Sequence, residues 1–395
     1  MPFQNVGIIV TTTTSLPALV TLLKSLRFTI KAVWCPDETA CLETASAHDV
    51  PFTASQPDQV ILRRDVEMVF ISGQPLLHGR LCLKALGIGK HVVCDGPCVL
   101  SAADGVKLAH ACTYYPQLLS LATCALRGLR CVAEARRRLL EGDGRLGRPL
   151  AVELRCSAPP RALYDAERFD WRWAASAGGG VLLRLGHHAV DLLVHLFNSK
   201  VESVDGFVLT PARHSRDGFR KCSADMYSSF VCTLRRDHLK CTVTLNGLMR
   251  QPVDGHLQLK IYGETDCLCI DDEKLYWASE PTSTLAAGCR GTVRPPIVTG
   301  VMGRGMLVLA HAEFVPSQLY ASARRAMLER LGKLASAAER PPSSVGADGN
   351  STEYSWRERW PSLADVAGLD ELGHVVAVLA AVRKSCEDGR VVSLV

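Results

Sequence analysis

The sequence predicts two domains of different class: an α/β domain with a parallel sheet, then an α+β domain with a mixed or antiparallel sheet. The chain has 395 residues, which corresponds to two or three domains at about 150 residues each. Strand-like and helix-like segments alternate up to residue 125, and beyond about residue 150 strand-like segments follow one another directly. We therefore expect domains at residues 1–125 and 126–395.

The first domain alternates short apolar runs with amphipathic segments. The β-branched run Val6–Val10 is typical of a strand buried on both faces. Leucines at helical spacing predict a helix over 16–26, and Gly87 and Gly89 are suited to end a helix over 77–86. The remaining predicted elements are strands over 28–34, 66–72 and 91–94 and a helix over 37–47. This alternation indicates a parallel sheet with helices on both faces, in which ligands bind at the carboxyl ends of the strands.

The second domain has turn residues between successive apolar runs. Strands are predicted over 150–156, 201–209, 227–234, 239–246, 257–262 and 266–270. Helices are predicted over 186–197, over 310–334 and over about 366–386. Between the last two helices, the polar stretch 337–352 is rich in Pro, Gly and Ser, and we expect a mobile loop there.

Composition excludes several classes of partner. The net charge is only +5, and Arg136–Arg138, the one basic cluster, suits the solvated face of a helix, so we expect no nucleic-acid partner. No apolar run reaches the ~18 residues needed to span a bilayer, so we expect no membrane partner. The 16 cysteines lie mostly in apolar runs without a CxxC pair, which favours reduced thiols in a core and predicts no metal site.

The apolar N-terminus allows two interpretations. A strand followed by a helix explains residues 1–26, and these residues lack the positive start of a signal peptide. Together with reduced cysteines, this favours a cytoplasmic protein. The alternative is a signal peptide and a secreted protein associated with the extracellular matrix.

Four segments, at residues 66–97, 125–130, 169–173 and 178–197, carry a resemblance to a known family. In order and spacing the chain resembles the glucose–fructose oxidoreductase / inositol dehydrogenase / rhizopine-catabolism (Gfo/Idh/MocA) superfamily, and within it the animal glucose–fructose oxidoreductase domain-containing proteins. The resemblance implies a Rossmann-type first domain that binds NAD(P). It also implies a second domain whose sheet lies beside the nicotinamide and often forms oligomers.

The family's glycine fingerprint follows its first strand, and here its three positions hold Val10, Thr12 and Ser15. Val10 disfavours a positive φ, and Thr12 places a branched side chain where the pyrophosphate would approach. The hydroxyls of Thr11, Thr12 and Thr13 are candidate cofactor ligands. The alternative is that Thr14 or Ser15 caps the helix that follows.

Further cofactor contacts are implied in the loops after the later strands. Gln74, Pro75 and His78 match the loop that passes below the nicotinamide ribose. The family's Glu-Lys-Pro turn is Asp95-Gly96-Pro97 here, so Asp95 and Pro97 keep two of its positions, and Gly96 lacks the proton-transferring amine.

The family's second-domain motif is half kept. Gly178–Gly180, His188 and Asp191 match it, and Arg184 replaces its first Asp. A guanidinium cannot act as a base, although His188 in the catalytic position could still accept a proton, with Asp191 orienting it. Trp171 lies in the stretch that faces substrate in the family. The expected substrate pocket is therefore Trp171, Arg184, His188 and Asp191.

The three departures at the glycine fingerprint, Gly96 and Arg184 predict an oxidoreductase-like, nucleotide-binding-fold protein. Its NAD(P)-dependent dehydrogenase activity would be lost or impaired, and its role would be to bind a small molecule or a protein. An active oxidoreductase on a polyol or sugar, using His188 with help from Asp95, stays an alternative, as does the matrix role. By analogy with the family, we expect a homodimer through the C-terminal sheet.

Overall fold

A computed structural model describes residues 4–12, 15–142, 144–159, 169–212, 214, 220–248, 256–279, 318–336, 356–359, 363 and 365–394. All statements below concern these residues. The expected mobile loop 337–352 and the first residues of the helix expected over 310–334 lie outside them.

The N-terminal part forms a five-stranded sheet in which all neighbouring strands are parallel. Its strands are β1 (Asn5–Val10), β2 (Thr29–Trp34), β3 (Met68–Ser72), β4 (His91–Cys94) and β5 (Ser120–Ala122). The order across the sheet is β2-β1-β3-β4-β5, so the direction of winding reverses between β1 and β3. In open sheets of this kind, a ligand crevice lies at the carboxyl ends of the two strands that flank the reversal.

Helices connect these strands, and the predicted α/β alternation is confirmed. The helices are α1 (Leu16–Ser25), α2 (Glu38–Ala47), α3 (Pro57–Leu62), α4 (His78–Gly87), α5 (Ala102–Tyr114) and α6 (Arg130–Arg137). Sequence analysis missed α3, α5 and β5. The three residues of β5 are too few to show an alternating pattern, although all three are buried.

The second sheet has eight strands in the order β12-β11-β10-β6-β9-β8-β7-β13. These are β6 (Pro149–Ser157), β7 (Val201–Leu209), β8 (Tyr227–Leu234), β9 (Lys240–Asn246), β10 (His256–Gly263), β11 (Cys267–Asp271), β12 (Lys274–Trp277) and β13 (Val392–Ser393). β6 and β9 are parallel and the other pairs are antiparallel. The predicted mixed sheet is therefore confirmed.

Five further helices complete the described fold. They are α7 (Val181–Arg184), α8 (Gly186–Phe197), α9 (Gln318–Ser336), α10 (Trp356–Arg359) and α11 (Leu372–Asp388). The last helix begins six residues later than expected, because Leu369 donates its backbone N–H to Ser120 O and so adds to the end of β5 instead of a helix.

The chain returns to the first sheet after it has built the second. Met327, Leu328 and Leu331 of α9 and Trp356 of α10 lie in one buried cluster with Ile8 of β1. In contrast, the core of the second sheet contains residues of α8 and α11. The boundary between residues 125 and 126 stays a prediction.

The burial of the cysteines agrees with thiols packed in a core. All described cysteines except Cys267 and Cys386 are buried. Within the described ranges, no single helix has both the length and the apolarity needed to cross a membrane; only Ala175–Arg184 and Gly186–Phe197 taken together do, and they are bent by 48°.

A buried ion cluster joins the two parts of the molecule. Arg127, in a 3₁₀ turn after β5, donates from Nε and Nη2 to the two carboxylate oxygens of Asp191 in α8, at 2.9 and 2.6 Å. The same Nη2 donates to Glu371, just before α11, at 2.7 Å. The side chains of Arg127 and Asp191 are only 8% and 1% exposed. This cluster therefore fixes α8 relative to the first domain.

We expect Arg127→Ala to lower the free energy of unfolding by about 3–5 kcal/mol, because it leaves the buried Asp191 carboxylate without its cation. Urea unfolding followed by circular dichroism measures the change. Lys107→Ala, which breaks an exposed pair with Asp104, is the control and should cost at most about 1 kcal/mol. Equal effects of the two substitutions would contradict the assigned role of the cluster.

Candidate functional site

Direct hydrogen bonds join the loops that follow β1 and β3, at the edge of the sheet where the ligand crevice is expected. Thr11 donates its backbone N–H to Ser72 O at 2.9 Å, and its Oγ1 lies 3.2 Å from both Ser72 O and Gln74 O. Gly73 has φ +104°, and a Cβ at this position would lie 2.5 Å from Thr11 Oγ1. Glycine is therefore required at residue 73 both by its conformation and by the close approach of Thr11.

Two of the three residues at the glycine-fingerprint positions, Thr12 and Ser15, have buried hydroxyl groups. Val10 is fully buried as the last residue of β1. Thr12 Oγ1 and Ser15 Oγ are buried and have no hydrogen-bond partner within the described residues. Of the two candidate caps, Ser15 occupies the N-cap position of α1 but its side chain makes no capping bond, and Thr14 lies outside the described residues. The Ser15 φ/ψ of −92°/−14° is helical, whereas capping side chains usually need an extended backbone.

Thr13 and Thr14 lie outside the described residues. At the amino end of a helix, unused hydroxyl and amide donors suit an anion such as a phosphate. The orphaned hydroxyls of Thr12 and Ser15 therefore fit the phosphate of a nucleotide.

Asp95 lies immediately after β4, and its carboxylate accepts hydrogen bonds from three side chains. Its carboxylate accepts from Ser72 Oγ at 2.6 Å, from Thr123 Oγ1 at 2.6 Å and from Arg324 Nη2 at 2.5 Å. The Asp95 side chain is only 3% exposed. The sequence pointed to Asp95 but not to Thr123 or Arg324, because 229 residues separate Arg324 from Asp95.

The loop after β3 contacts both the turn after β4 and the second domain. His78 is fully buried with Nδ1 3.3 Å from Pro97 O, and burial lowers the pKa of His78 to about 4. Gly178, with φ +97°, lies so close to Pro75 that a Cβ there would be 2.8 Å from Pro75 Cγ. Gln74, Pro75, His78 and Pro97 thus form one wall where the two domains meet.

His187 occupies the space beside Gly96. A Cβ on Gly96 would lie 2.7 Å from Nε2 of His187. The imidazole is 1% exposed, its Nδ1 lies 2.9 Å from Leu183 O, and its Nε2 has no hydrogen-bond partner among the described residues. Burial lowers the pKa of His187 to about 4, so the ring is neutral near pH 7. The sequence motif pointed to His188. In the structure, the rotation of α8 about its axis instead directs the preceding residue, His187, towards Gly96.

Arg184, His188 and Trp171 lie together behind this contact. Arg184 is fully buried, with its Cζ 5.5 Å from the centre of the Trp171 ring, a cation–π distance. The rings of His187 and His188 are 3.7 Å apart. Burial, assisted by His187 and Arg184, lowers the pKa of His188 well below its ordinary value. The side chains around Gly96 therefore include one permanent cation, Arg184, and two neutral imidazoles, of which His187 was not among the expected pocket residues.

Two buried carboxylates hold the helices of this motif. Burial raises the pKa of Asp191, and the Arg127 guanidinium opposes that shift. The role of Asp191 in orienting His188 stays a prediction. Asp225, which sequence analysis missed, accepts from Leu182 N at 2.6 Å and so caps α7. Gly180, with φ +101°, is required here because a Cβ would lie 2.5 Å from Asp225 Oδ1.

One group of potential metal ligands occurs among the described residues, away from these side chains in sequence. His256, Asp271 and Asp272 have ligand atoms within 4.8 Å of one another. Asp272 already accepts from Leu257 N at 2.9 Å. The expectation of no metal stays a prediction.

The fold and the two-domain site define the class of protein. Residues 6–123 match the oxidoreductase family with an NAD-binding Rossmann fold, and residues 133–268 match the GFO/IDH/MocA C-terminal domain. The chain belongs to the Gfo/Idh/MocA oxidoreductase family.

Within this family, the chain is similar to animal glucose–fructose oxidoreductase domain-containing proteins. It is 31% identical to protein 2 of this group from Xenopus laevis over 278 residues, which cover 70% of both chains. It is 32% identical to the Homo sapiens protein 2 over 237 residues, or 60% of each chain. The match to the human relative thus spans less than two thirds of that protein.

Solved structures share the fold at low identity. An oxidoreductase domain protein from Kribbella flavida has a TM-score of 0.73 at 19% identity, and each chain is covered completely. Levoglucosan dehydrogenase in complex with NADH and L-sorbose has a TM-score of 0.70 at 16% identity, again with complete coverage. A super-repressor mutant of Gal80p from Saccharomyces cerevisiae has a TM-score of 0.68 at 13% identity, covering 100% of this chain and 98% of that one.

We expect Gly96→Ala to lower the free energy of unfolding by about 1–3 kcal/mol, because the new methyl group would overlap the His187 ring. The cost should be smaller by about 1 kcal/mol or more in a His187→Ala background, since the two residues are in contact. Chemical unfolding of the wild type, both single variants and the double variant measures this coupling.

Gly87→Ala is the matched control, because a Cβ at Gly87 meets nothing within 4 Å. It should be neutral or stabilise by up to about 1 kcal/mol. A cost of Gly96→Ala that is the same with and without the His187 ring would show that the ring does not fill this space.

Proposed function

We propose that the protein binds a nicotinamide adenine dinucleotide at the crevice between β1 and β3 and does not transfer a hydride between the nicotinamide and an alcohol. The observation that carries the proposal is the position of His187, whose imidazole fills the space beside Gly96. A lysine side chain at residue 96 could not enter without moving this buried ring.

Loss of hydride transfer follows from the protonation states of the pocket. A nicotinamide cofactor, when bound, supplies the hydride acceptor or donor, and the protein must take up or release the proton of the substrate hydroxyl. Gly96 has no group for this task, and the Arg184 guanidinium is permanently protonated. The carboxylate of Asp95 is engaged by three donors, so it is not a free base either. Burial lowers the pKa of His188 well below its ordinary value, which makes its imidazole a weak proton acceptor.

Retention of binding is supported by the crevice itself. The buried hydroxyls of Thr12 and Ser15 and the amino end of α1 offer donors for a phosphate. At the end of β2, Asp37 caps α2 by accepting from Ala40 N at 3.1 Å, so it is already used structurally. We therefore propose no preference between NAD and NADP.

The comparison structures support a binding role on the same fold. Levoglucosan dehydrogenase binds NADH and a sugar, and Gal80p is a repressor. The fold therefore occurs in a protein whose described role is regulation as well as in dehydrogenases. This agrees with a chain that keeps a nucleotide crevice without the groups for proton transfer.

We also propose a homodimer through the outer face of the second sheet. Phe207 and Leu209 of β7 and Val231 of β8 are exposed by 51%, 46% and 38%. Val231 lies between the buried residues Phe230 and Cys232, and Phe207 and Leu209 alternate with the half-buried Gly206 and Val208, so the three exposed side chains lie on the face opposite the core. Exposed apolar side chains clustered on one sheet face can pair with the same patch of a second copy about a two-fold axis.

Binding and turnover are tested separately. NADH titrated into the purified protein should enhance nicotinamide fluorescence or raise the melting temperature; at 100 times the dissociation constant the ligand adds about 2.7 kcal/mol. The same protein, mixed with NAD or NADP and a panel of polyols and sugars, should show no change in absorbance at 340 nm.

Turnover that disappears in a His188→Ala variant would overturn the proposal and support the alternative, an active oxidoreductase on a polyol or sugar. Absence of any binding at millimolar NADH and NADPH would overturn the nucleotide-binding part.

The dimer is tested by light scattering coupled to size-exclusion chromatography. We expect a mass of two chains for the wild type and one chain for Phe207→Glu, because the new charge would be buried in the interface. Leu62→Glu, at another exposed apolar residue on the first domain, should leave the dimer intact. A monomeric wild type would contradict this part of the proposal.

A further inference from the structure

We propose that Arg324 binds a phosphate group of the nucleotide and that Asp95 positions its guanidinium. This inference rests on the proposed nucleotide binding, and it gives a ligand-binding role to a residue outside the motifs described above. It replaces the missing glycine fingerprint by a side-chain contact from the other end of the chain.

The Arg324 guanidinium lies at the carboxyl edge of the first sheet, beside the ends of β3 and β4. Nη2 of Arg324 donates to Asp95 Oδ2 at 2.5 Å, and Asp95 is tied to the end of β3 by Ser72 Oγ at 2.6 Å. Ser72 O in turn accepts from the backbone N–H of Thr11, in the loop after β1. A chain of short hydrogen bonds thus connects Arg324 with the loops that form the crevice.

Within the described residues, Arg324 has N–H donors that no hydrogen bond engages. An arginine has five N–H donors, and the described contact with Asp95 engages Nη2 only. Nε of Arg324 is buried without a hydrogen-bond partner in the described part of the chain. The side chain is 29% exposed, so a ligand can reach it, and its Cζ lies 5.7 Å from the ring centre of Phe70. A planar guanidinium that is partly exposed can present its outer N–H groups to an oxyanion in a bidentate arrangement.

Helix α9 holds this side chain in place. Met327, Leu328 and Leu331, three, four and seven residues after Arg324, are buried on the same helical face. Gly332 approaches the end of α1 so closely that a Cβ there would lie 2.8 Å from Leu26 O. The neighbouring Arg325 faces solvent and pairs with Glu329 at 3.1 Å. The fold therefore places one of two adjacent arginines at the crevice and the other outside.

The missing glycines explain why a side chain is needed. A phosphate normally approaches the backbone of a glycine-rich loop, and here Val10 and Thr12 carry branched side chains at those positions. The hydroxyls of Thr12 and Ser15 supply neutral donors. Arg324 adds a charged donor, and a charge-assisted hydrogen bond to a phosphate oxygen is stronger than one from a neutral hydroxyl.

The experiment compares ligands with and without phosphate on the full-length protein. Calorimetry with NADH, ADP-ribose and adenosine is carried out on the wild type, Arg324→Gln, Arg324→Lys and the control Arg325→Gln. We expect Arg324→Gln to weaken NADH and ADP-ribose about ten- to hundredfold and to leave adenosine unchanged. Arg324→Lys should recover part of the affinity, since an ammonium keeps the charge but not the bidentate geometry. Arg325→Gln should bind like the wild type.

The outcomes separate this inference from the proposed function. If Arg324→Gln binds NADH as tightly as the wild type, or more tightly, Arg324 does not hold the phosphate and the inference is overturned while nucleotide binding stands. If Arg324→Gln does not fold, judged by circular dichroism, unchanged affinity in Arg324→Lys overturns it instead. A wild-type protein that binds neither NADH nor ADP-ribose overturns both proposals.

Discussion

The buried ion cluster of Arg127, Asp191 and Glu371 is the constraint on which the arrangement of the site depends. It connects the end of the first sheet, the middle of α8 and the start of α11, three regions far apart in the sequence. Because charges of this kind are costly to bury unpaired, the cluster permits one orientation of α8 only. That orientation determines which of two adjacent histidines faces Gly96 and where Arg184 meets Trp171.

The charge pattern around the crevice differs from that expected of a working dehydrogenase. Gly96 removes a titratable amine, and Arg184 replaces a carboxylate by a permanent cation. Burial keeps His187 and His188 neutral. Arg324 brings a second cation to the edge of the sheet, against Asp95. These changes remove groups that exchange protons and keep or add groups that hold anions, which is the physical basis for proposing binding without hydride transfer.

Much of the fold was predictable because its elements repeat a clear pattern. Val201–Leu209, Tyr227–Leu234 and Gly186–Phe197 have the predicted bounds, since each has at least eight residues over which a sequence pattern can show. Short elements such as β5 and α3 were missed because three to six residues carry too little periodicity. The motif residues Gly178–Gly180 were predictable as well, although their reasons, contact with Pro75 and with Asp225, became visible only in three dimensions.

The sequence by itself determined the fold class, the family resemblance and the absence of side chains that the family's chemistry needs, because each depends on residue type at a local position. It could not determine which groups take the vacated places. His187 beside Gly96, Arg324 on Asp95 and Arg127 on Asp191 are contacts between residues 64 to 229 positions apart, or, for His187, a matter of helix phase. Such contacts depend on how sheets and helices pack against one another, and local sequence patterns carry no record of that geometry.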